Sequence, residues 1–307
     1  MTRLARYAWL TVAFNVAVVL YGAVVRATGS GAGCGSHWPS CNGGALPLTG
    51  TAEETIEFVH RATSGVALVL VAILVVWVFR AVPPGDRIRK AAVASGILIV
   101  NEALIGAMLV LFEWVAEDQS NGRAISISLH LVNTLLLLGA LTLTAWWLSG
   151  GRAPSRSSDP AARRDLVVTA VVLVLVGASG AITALGDTLF PAENLLDGIR
   201  DDFTGTFLVR LRWIHPIVAV IAAGLLLRLV QVYRPRSEAG GLLARWLTIL
   251  VVTQLVAGVV NVLLLAPVWM QLAHLLLADA VWILFVLFGS ESLADPVGAP
   301  AEEYAAR

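Results

Sequence analysis

Long continuous runs of apolar residues, separated by short polar connections, dominate the pattern along the chain. Eight such runs lie at about 7–26, 59–80, 91–112, 126–148, 166–185, 212–233, 242–265 and 268–289. Each is long enough to cross a hydrocarbon core of about 30 Å as a helix. Strands of a membrane barrel would instead alternate over segments of about ten residues. The pattern therefore predicts an all-α polytopic membrane protein with eight transmembrane helices.

Composition supports the same class. The 307 residues are 58% hydrophobic and 14% charged, with a mean hydropathy of +0.81. A water-soluble globule has too little interior to hide that much apolar surface.

The charged residues are divided between the two sides of the predicted helices. Acidic residues gather in the connections at 53–57, 113–118 and 187–202. Basic residues gather on the other side, at Arg3, Arg6, Arg80, Arg87, Arg89, Lys90, Arg152, Arg156, Arg163, Arg164, Arg228, Arg234, Arg236 and Arg245. By the positive-inside rule, this predicts a multi-pass protein of the cell membrane with both termini in the cytoplasm. The net charge of zero therefore describes a split across a membrane and gives no information about partners. No nucleic-acid partner is expected.

An internal repeat divides the chain. A shift of about 155 residues lays 22–31 on 177–186 and 58–60 on 213–215, and a slightly smaller shift lays 102–106 on 254–258 and 128–130 on 272–274. Halves with an even number of helices share one orientation, related by an axis along the membrane normal. We expect two tandem four-helix bundles with pseudo-two-fold symmetry, at 1–150 and 151–290, followed by a cytoplasmic tail at 291–307.

Four of the five histidines occupy positions matched by the repeat. They are His60, His130, His215 and His274, one on each even-numbered helix near its outer end. Ionisable groups in a membrane are costly and usually functional, and paired histidines across a four-helix bundle can hold haem iron from both faces. Zinc or copper would recruit further ligands. The pattern favours one bis-histidine haem in each bundle over hydrogen-bonded interior histidines.

The two histidine pairs have different neighbours. Glu57 precedes His60 by three residues, so the two share a helix face, whereas the matched position in the second half is Arg212. A carboxylate beside a haem can handle protons, and a guanidinium suits a haem propionate or an acidic loop. We therefore assign the reaction to the first bundle and electron storage or structure to the second. For Glu57 the alternative is an acid favoured by the helix dipole.

Two further arginines lie near the outer surface. Arg61 and Arg210, like Arg212, are candidates for propionate contacts. The competing interpretation is that they are snorkelling anchors at the membrane surface.

The first outer connection contains the chain's two cysteines. Cys34 and Cys41 lie in a Gly-rich loop that is predicted to face an oxidising exterior. A disulfide is expected there, with a redox-active pair as the alternative. His37 between them is interpreted as a loop histidine, with a metal or haem contact as the alternative. The matching loop in the second half has no cysteine.

Glu102 and Asp279 are predicted deep in the membrane. Structural pairing with polar neighbours is favoured for both, and a proton path is the alternative.

These features together resemble bacterial haem A synthase over nearly the whole chain. The resemblance rests on residues 26–41, on Glu57-Phe-Val-His-Arg61, and on the histidines at 130, 215 and 274. It implies oxidation of the C8 methyl group of haem O to a formyl group, giving haem A for aa3-type oxidases. It further implies that His60 and His130 hold the substrate haem, that Glu57 is catalytic, and that His215 and His274 bind a haem b cofactor.

The resemblance also implies partners. These are haem O as substrate, membrane lipid, and, as further candidates, a haem O synthase and an electron donor. Cys34 and Cys41 match the external cysteine pair of the family, whereas a second pair found in some members is missing from this sequence.

Three other functions share some of these features with the synthase. A di-haem membrane cytochrome that passes electrons between quinol and a partner would share the four histidines, but it has less need of Glu57 and the cysteine loop. A haem O synthase should carry Asp-rich motifs for diphosphate and Mg²⁺, and the predicted transmembrane helices contain no Asp-x-x-x-Asp cluster. A transporter built from parallel repeats would not explain the matched histidines.

Overall fold

The computed structural model describes residues 1–46, 50–155, 158–233 and 237–295, without the side chain of Phe207. Most of the predicted tail at 291–307 lies outside these residues. The helices are α1 Arg3–Ala27, α2 Ala52–Ala81, α3 Arg87–Leu111, α4 Asn121–Leu148, α5 Pro160–Leu189, α6 Leu195–Thr204, α7 Phe207–Arg210, α8 Ile214–Val232, α9 Glu238–Leu263 and α10 Val268–Ser292. Apart from one isolated bridge between Cys41 and Gly44, the described residues contain no β-structure.

Eight segments of the described chain are long and apolar enough to cross a membrane. They correspond to α1 to α5, α9, α10 and the segment Leu208–Val232, which includes α8. The prediction of an all-α polytopic membrane protein with eight transmembrane helices is confirmed.

Several helices begin earlier than hydropathy predicts, because their first turns are polar. Helix α2 begins at Ala52, where the hydroxyl of Thr51 accepts a hydrogen bond from the Glu54 amide at 3.2 Å. Such a side chain satisfies an amide that has no partner within the helix. Acidic residues in a first turn are also favoured by the helix dipole. The two short helices α6 and α7 occupy a connection that apolar patterning alone leaves without structure.

The connections on one side of the helices lie together at one end of the protein. A Cβ placed on Gly31 would lie 3.2 Å from Cβ of Val115, so the loop after α1 contacts the connection after α3. Because this end carries the Cys34–Cys41 disulfide, we call it the disulfide end. Helices α2, α4 and α10 start there, and so does the segment that leads into α8.

Buried apolar side chains form two main clusters that meet at α4. One contains residues of α1, α2, α3 and α4, and the other contains residues of α4, α5, α8, α9 and α10. Leu137 and Leu141 of α4 belong to the first cluster, whereas Leu135 and Leu138 belong to the second. Helix α4 therefore packs on both sides, and half of its most apolar window is buried. The division at 150 and the pseudo-two-fold relation stay predictions.

One aromatic side chain joins the two halves directly. The indole N–H of Trp282 on α10 donates to the carbonyl of Leu135 on α4 at 2.6 Å. The ring lies over Gly139, where a Cβ would be 3.5 Å from Nε1. The ring of Trp282 is buried and its N–H has a hydrogen-bond partner, as is usual for a buried indole. It therefore packs α10 closely against α4, although the two helices are distant in sequence.

The two faces of α4 predict different responses to the same substitution. Leu138 is 0% exposed and Leu136 is 45% exposed. Leu138→Ala is expected to lower the free energy of unfolding by about 2–5 kcal/mol, because a buried cavity replaces packed atoms. Leu136→Ala, which removes the same atoms from the outer surface, is the matched control. Thermal unfolding of the two variants in detergent checks this, and equal melting temperatures would contradict the packing described.

Candidate functional site

The four repeat-matched histidines all lie near the disulfide end. His60 is in α2, His130 in α4, His215 in α8 and His274 in α10, each within about the first three turns of its helix. All four imidazoles therefore lie in the part of each helix that is nearest the disulfide end.

Each imidazole contacts a glycine on the long helix that precedes it in the sequence. A Cβ would lie 3.0 Å from the His60 ring on Gly22, 3.9 Å from the His130 ring on Gly106, 3.0 Å from the His215 ring on Gly180, and 3.2 Å from the His274 ring on Gly258. The lack of a side chain at these positions allows a ring to approach the backbone closely. The contact between a histidine and a glycine thus occurs at all four of these histidines.

This contact corrects one part of the repeat alignment. The sequence comparison paired Gly22 with Gly177, but the glycine that faces His215 is Gly180, three residues further along. A Cβ on Gly177 would instead lie 2.8 Å from Leu135 Cδ1. Gly177 therefore belongs to the packing of α5 on α4. Amino-acid identity alone does not distinguish a glycine that packs against another helix from a glycine that faces a histidine ring.

The second histidine pair has a spacing suited to one metal between two rings. The ring centroids of His215 and His274 are 6.4 Å apart, with the rings nearly perpendicular. Two imidazole nitrogens that each bind a metal at about 2 Å place their ring centroids about 6 Å apart. Nδ1 of His215 lies 3.2 Å from the carbonyl of Val176 and therefore donates to it, which leaves Nε2 as the available ligand atom. This donor set fits a haem iron.

The first histidine pair has an acidic partner. Nδ1 of His130 lies 3.1 Å from Oε1 of Glu102, and Glu102 also accepts hydrogen bonds from Asn133 and Thr134. Carboxylates that hold a ligating histidine fix its orientation and raise its basicity. Nδ1 of His60 and Nδ1 of His130 are both buried without a hydrogen-bond partner among the described residues, so Glu102 lies at ion-pair distance from His130 without a hydrogen bond to it. The predicted structural pairing of Glu102 is confirmed.

The counterpart of this carboxylate in the second half is an amide. Gln254, which the repeat pairs with Glu102, has its Nε2 3.3 Å from Nε2 of His274. The two polar neighbours occupy matched helix positions, but they differ in charge and contact different ring nitrogens, Nδ1 of His130 and Nε2 of His274. Asp279, the other deep acid, has no hydrogen-bond partner among the described residues, so its predicted pairing is not observed.

The described part of the chain does not favour a centre in which three or more side chains bind one metal ion. No three His, Cys, Asp or Glu side chains converge there as ligands for a metal ion. Each pocket instead offers paired imidazoles, which is the axial ligand set of many haem irons.

The loop after α1 contains a disulfide between Cys34 and Cys41, so the expected bond is confirmed, whereas a redox role of the pair stays a prediction. Both cysteines are buried. The amide of Cys34 donates to Oε2 of Glu57 at 2.7 Å. Arg61 donates to the other oxygen of Glu57 and to the carbonyls of His37 and Ser40. Glu57 and Arg61 therefore bind the loop to α2, one turn from His60.

Glu54 adds a second anchor that the sequence analysis missed. Its side chain is fully buried, and its two oxygens accept hydrogen bonds from Nδ2 of Asn42 at 2.7 Å and from the amide of Gly50 at 2.9 Å. A Cβ on Gly33 would lie 2.4 Å from the carbonyl carbon of Glu53, so the loop backbone lies directly on α2. The signal for Glu54 was its position one turn before Glu57, on the same face.

Arg212, which the repeat pairs with Glu57, binds neighbouring segments of the second half with the opposite charge. Its Nε donates to Asp202 of α6 at 2.8 Å and its Nη1 to Asp187 of α5 at 3.1 Å. Of the two partners considered for Arg212, the acidic loop is the one observed. Arg210 is exposed at the end of α7. The propionate contacts of Arg61, Arg210 and Arg212 stay predictions.

The sequence profile of one protein family matches residues 5–286 of this chain. The chain belongs to the COX15-CtaA family, described as cytochrome oxidase assembly proteins. The resemblance to haem A synthases on which the sequence analysis relied is confirmed at the level of the family.

Individual relatives carry two different names. The chain is 48% identical over 298 residues to the protoheme IX farnesyltransferase of Thermus thermophilus, a match that covers 95% of this chain and 49% of that protein. It is 40% identical over 124 residues to the heme A synthase of Geobacillus kaustophilus, covering 40% of this chain and 38% of that protein. The match to the heme A synthase of Alkalihalophilus pseudofirmus is 32% over 151 residues, covering 49% and 48%. The chain thus spans about half the length of its Thermus relative.

The anchoring of the loop predicts a measurable difference between two neighbouring acids. Glu57→Ala removes the acceptor for Cys34 and the partner of Arg61, whereas Glu53 is exposed and serves as the control. We expect the disulfide of the Glu57→Ala protein to be reduced about tenfold faster or more, because a hydrogen bond to a charged group contributes about 1.5–3 kcal/mol. Thiol alkylation followed by mass spectrometry gives the rates, and unchanged reduction in Glu57→Ala would refute the anchoring role.

Proposed function

We propose that this chain is a haem A synthase, an enzyme that oxidises the C8 methyl group of haem O to a formyl group. The proposal is carried by one observation: Glu57 and Glu102 lie beside the first histidine pair, with a disulfide loop bound to Glu57, whereas the matched positions beside the second pair are Arg212 and Gln254. A reaction site and a redox site within one chain require such a difference. Membership of a cytochrome oxidase assembly family supports the same conclusion.

In this proposal the two pockets hold different haems. His60 and His130 bind haem O, the substrate, and His215 and His274 bind haem b, whose iron supplies electron storage when it is bound. The ring spacing of the second pair and the glycine contacts of all four histidines support the assignment. Glu102 lies 3.1 Å from Nδ1 of His130, where its charge raises the basicity of the imidazole.

Glu57 acts from the edge of the first pocket. One of its oxygens accepts from Cys34 and the other from Arg61. A carboxylate oxygen has two lone pairs, so Oε2 retains a site for a water or a proton. Glu57 therefore holds the loop closed, which excludes bulk water, and handles a proton beside the reacting methyl group. The apolar outer faces of the helices let the farnesyl tail of haem O remain in lipid.

The name of the Thermus relative is consistent with this function when the lengths are compared. The equal shares matched with the Alkalihalophilus synthase show that it and this chain have about the same length, whereas the Thermus protein is about twice as long. We assign the farnesyl transfer of that protein to the half that this chain does not match. A farnesyltransferase supplies haem O, the substrate proposed here, which makes a haem O synthase a natural partner.

The acidic residues of this chain do not favour farnesyl transfer. Its one Asp-x-x-x-Asp spacing is Asp197 to Asp201, on the short helix α6 outside the membrane-spanning segments. Asp197 there accepts from Asn194, and the adjacent Asp202 is paired with Arg212. Diphosphate chemistry needs carboxylates that are available to Mg²⁺.

The orientation in the membrane is part of the proposal. We assign the disulfide end to the outside of the cell membrane and both termini to the cytoplasm. The arginine-rich connections at the opposite end and the disulfide itself support this orientation. An electron donor completes the set of partners.

The first test is the haem composition of cells that make haem O, with and without this protein. Extraction and chromatography are expected to yield haem A only when the protein is present. Glu57→Ala should retain haem but accumulate products short of the aldehyde, while Glu53→Ala should make haem A normally. If haem O is unchanged although the purified protein contains bis-histidine haem, the di-haem cytochrome replaces the synthase. Full haem A production by Glu57→Ala would remove Glu57 from the mechanism.

A second test concerns the glycine contacts. Gly180→Val would place atoms against the ring of His215, whereas Gly224 on α8 has no atom within 4 Å of an added Cβ. We expect Gly180→Val to lose the low-spin haem b spectrum and Gly224→Val to keep it. Absorption spectra of the purified proteins, with haem content measured after extraction, give the answer. A normal spectrum in Gly180→Val would exclude His215 as a haem ligand.

A further inference from the structure

One arginine in the described structure bonds across the boundary between the two histidine pockets. Arg26, in the last turn of α1, donates through Nη1 to the carbonyl of Ala184 at 2.6 Å and to the hydroxyl of Thr188, both on α5. Through Nη2 it donates to Oε1 of Gln271 on α10 at 2.7 Å. A single guanidinium therefore links the first bundle to two helices of the second.

Each of these contacts lies one helical turn from a pocket. Arg26 follows Gly22, which contacts His60, by four residues. Ala184 follows Gly180, which contacts His215, by the same four. Gln271 precedes His274 by three residues. Because residues three or four apart share a helix face, Arg26 is adjacent to the glycine or histidine positions of both pockets.

The repeat explains why one side chain can serve both pockets. The alignment that pairs the histidine-facing glycines Gly22 and Gly180 also pairs Arg26 with Ala184. Arg26 thus donates to the backbone of its own counterpart in the second half. Where two related helices cross at equivalent positions there is room for one long side chain, and the small alanine leaves that room to Arg26.

The charge of Arg26 is not cancelled by its direct partners. All three acceptors are neutral: a carbonyl, a hydroxyl and an amide. Asp187 and Arg123 are the charged side chains whose fields reach Arg26, but Asp187 is bonded to Arg212 and Arg123 carries the same sign of charge as Arg26. Arginine keeps its proton in proteins, and a charge away from bulk water acts over longer distances than one at the surface.

We propose that Arg26 is a positioning residue shared by the two pockets, which holds α1, α5 and α10 together between them and favours the reduced state of the haem in the second pocket through its positive charge. The proposal rests on the proposed function, since it requires haem at His215 and His274. A nearby cation stabilises the form of a haem that carries one more electron, so its loss lowers the midpoint potential.

The test is a redox titration of haem b in the purified holoprotein. Arg26→Gln removes the charge and is expected to shift the midpoint potential to more negative values. Arg26→Lys keeps the charge and should retain a potential near that of the wild type, with a lower melting temperature, because an ammonium cannot form the forked set of hydrogen bonds. Thr188→Asp leaves Arg26 in place but neutralises it, so it should shift the potential in the same direction even if Arg26→Gln does not fold.

Arg200→Gln is the matched control. Arg200 lies on α6 at the same end, but its side chain is exposed, so water and salt screen its charge. An unchanged potential in this control, beside shifted potentials in Arg26→Gln and Thr188→Asp, would support the proposal. A wild-type potential in both of those variants, or an equal shift in Arg200→Gln, would overturn the role of Arg26 alone. A wild-type protein without haem at His215 and His274 would overturn the proposed function with it.

Discussion

A histidine ring can lie between packed membrane helices only where a neighbouring helix leaves space for it, and a glycine faces each of the four rings in this protein, most closely at His60, His215 and His274. These contacts hold the rings near the disulfide end against rigid backbone. A ligand held by a rotating side chain would allow its metal to move. The packing of the bundle and the geometry of both candidate sites therefore depend on the same small residues, which also explains why each lies on the helix before its histidine.

On this shared scaffold the two halves have acquired opposite charges at matched positions. Glu57 and Arg212 each stand one turn before a histidine, and each binds the connection at the disulfide end, one through a loop amide and an arginine, the other through two aspartates. Glu102 and Gln254 also differ in charge, since one is a carboxylate and the other is the neutral amide. Buried ions are stable only when they are paired, so each change of charge required a different set of partners around it.

The first half has a further layer that the second lacks. The disulfide loop lies on the start of α2, fixed by Glu54, Glu57 and Arg61 rather than by apolar packing. Charged side chains are expensive to bury but directional, and they hold a loop in one orientation where a Gly-rich backbone alone would have many. A cover of that kind suits a pocket that must admit a substrate and then exclude water.

The sequence by itself determined the class, the number of membrane helices and the four histidines. Runs of twenty apolar residues have one stable solution in a bilayer, because every backbone group must be bonded within the segment, and the duplicated histidines follow from the repeat. Only the tertiary structure decided which glycine faces His215, that Glu54 anchors the loop, and that Arg26 bonds to a residue 158 positions away. Hydropathy is a property of each segment alone, whereas these contacts depend on how each helix is rotated and where it crosses its neighbours.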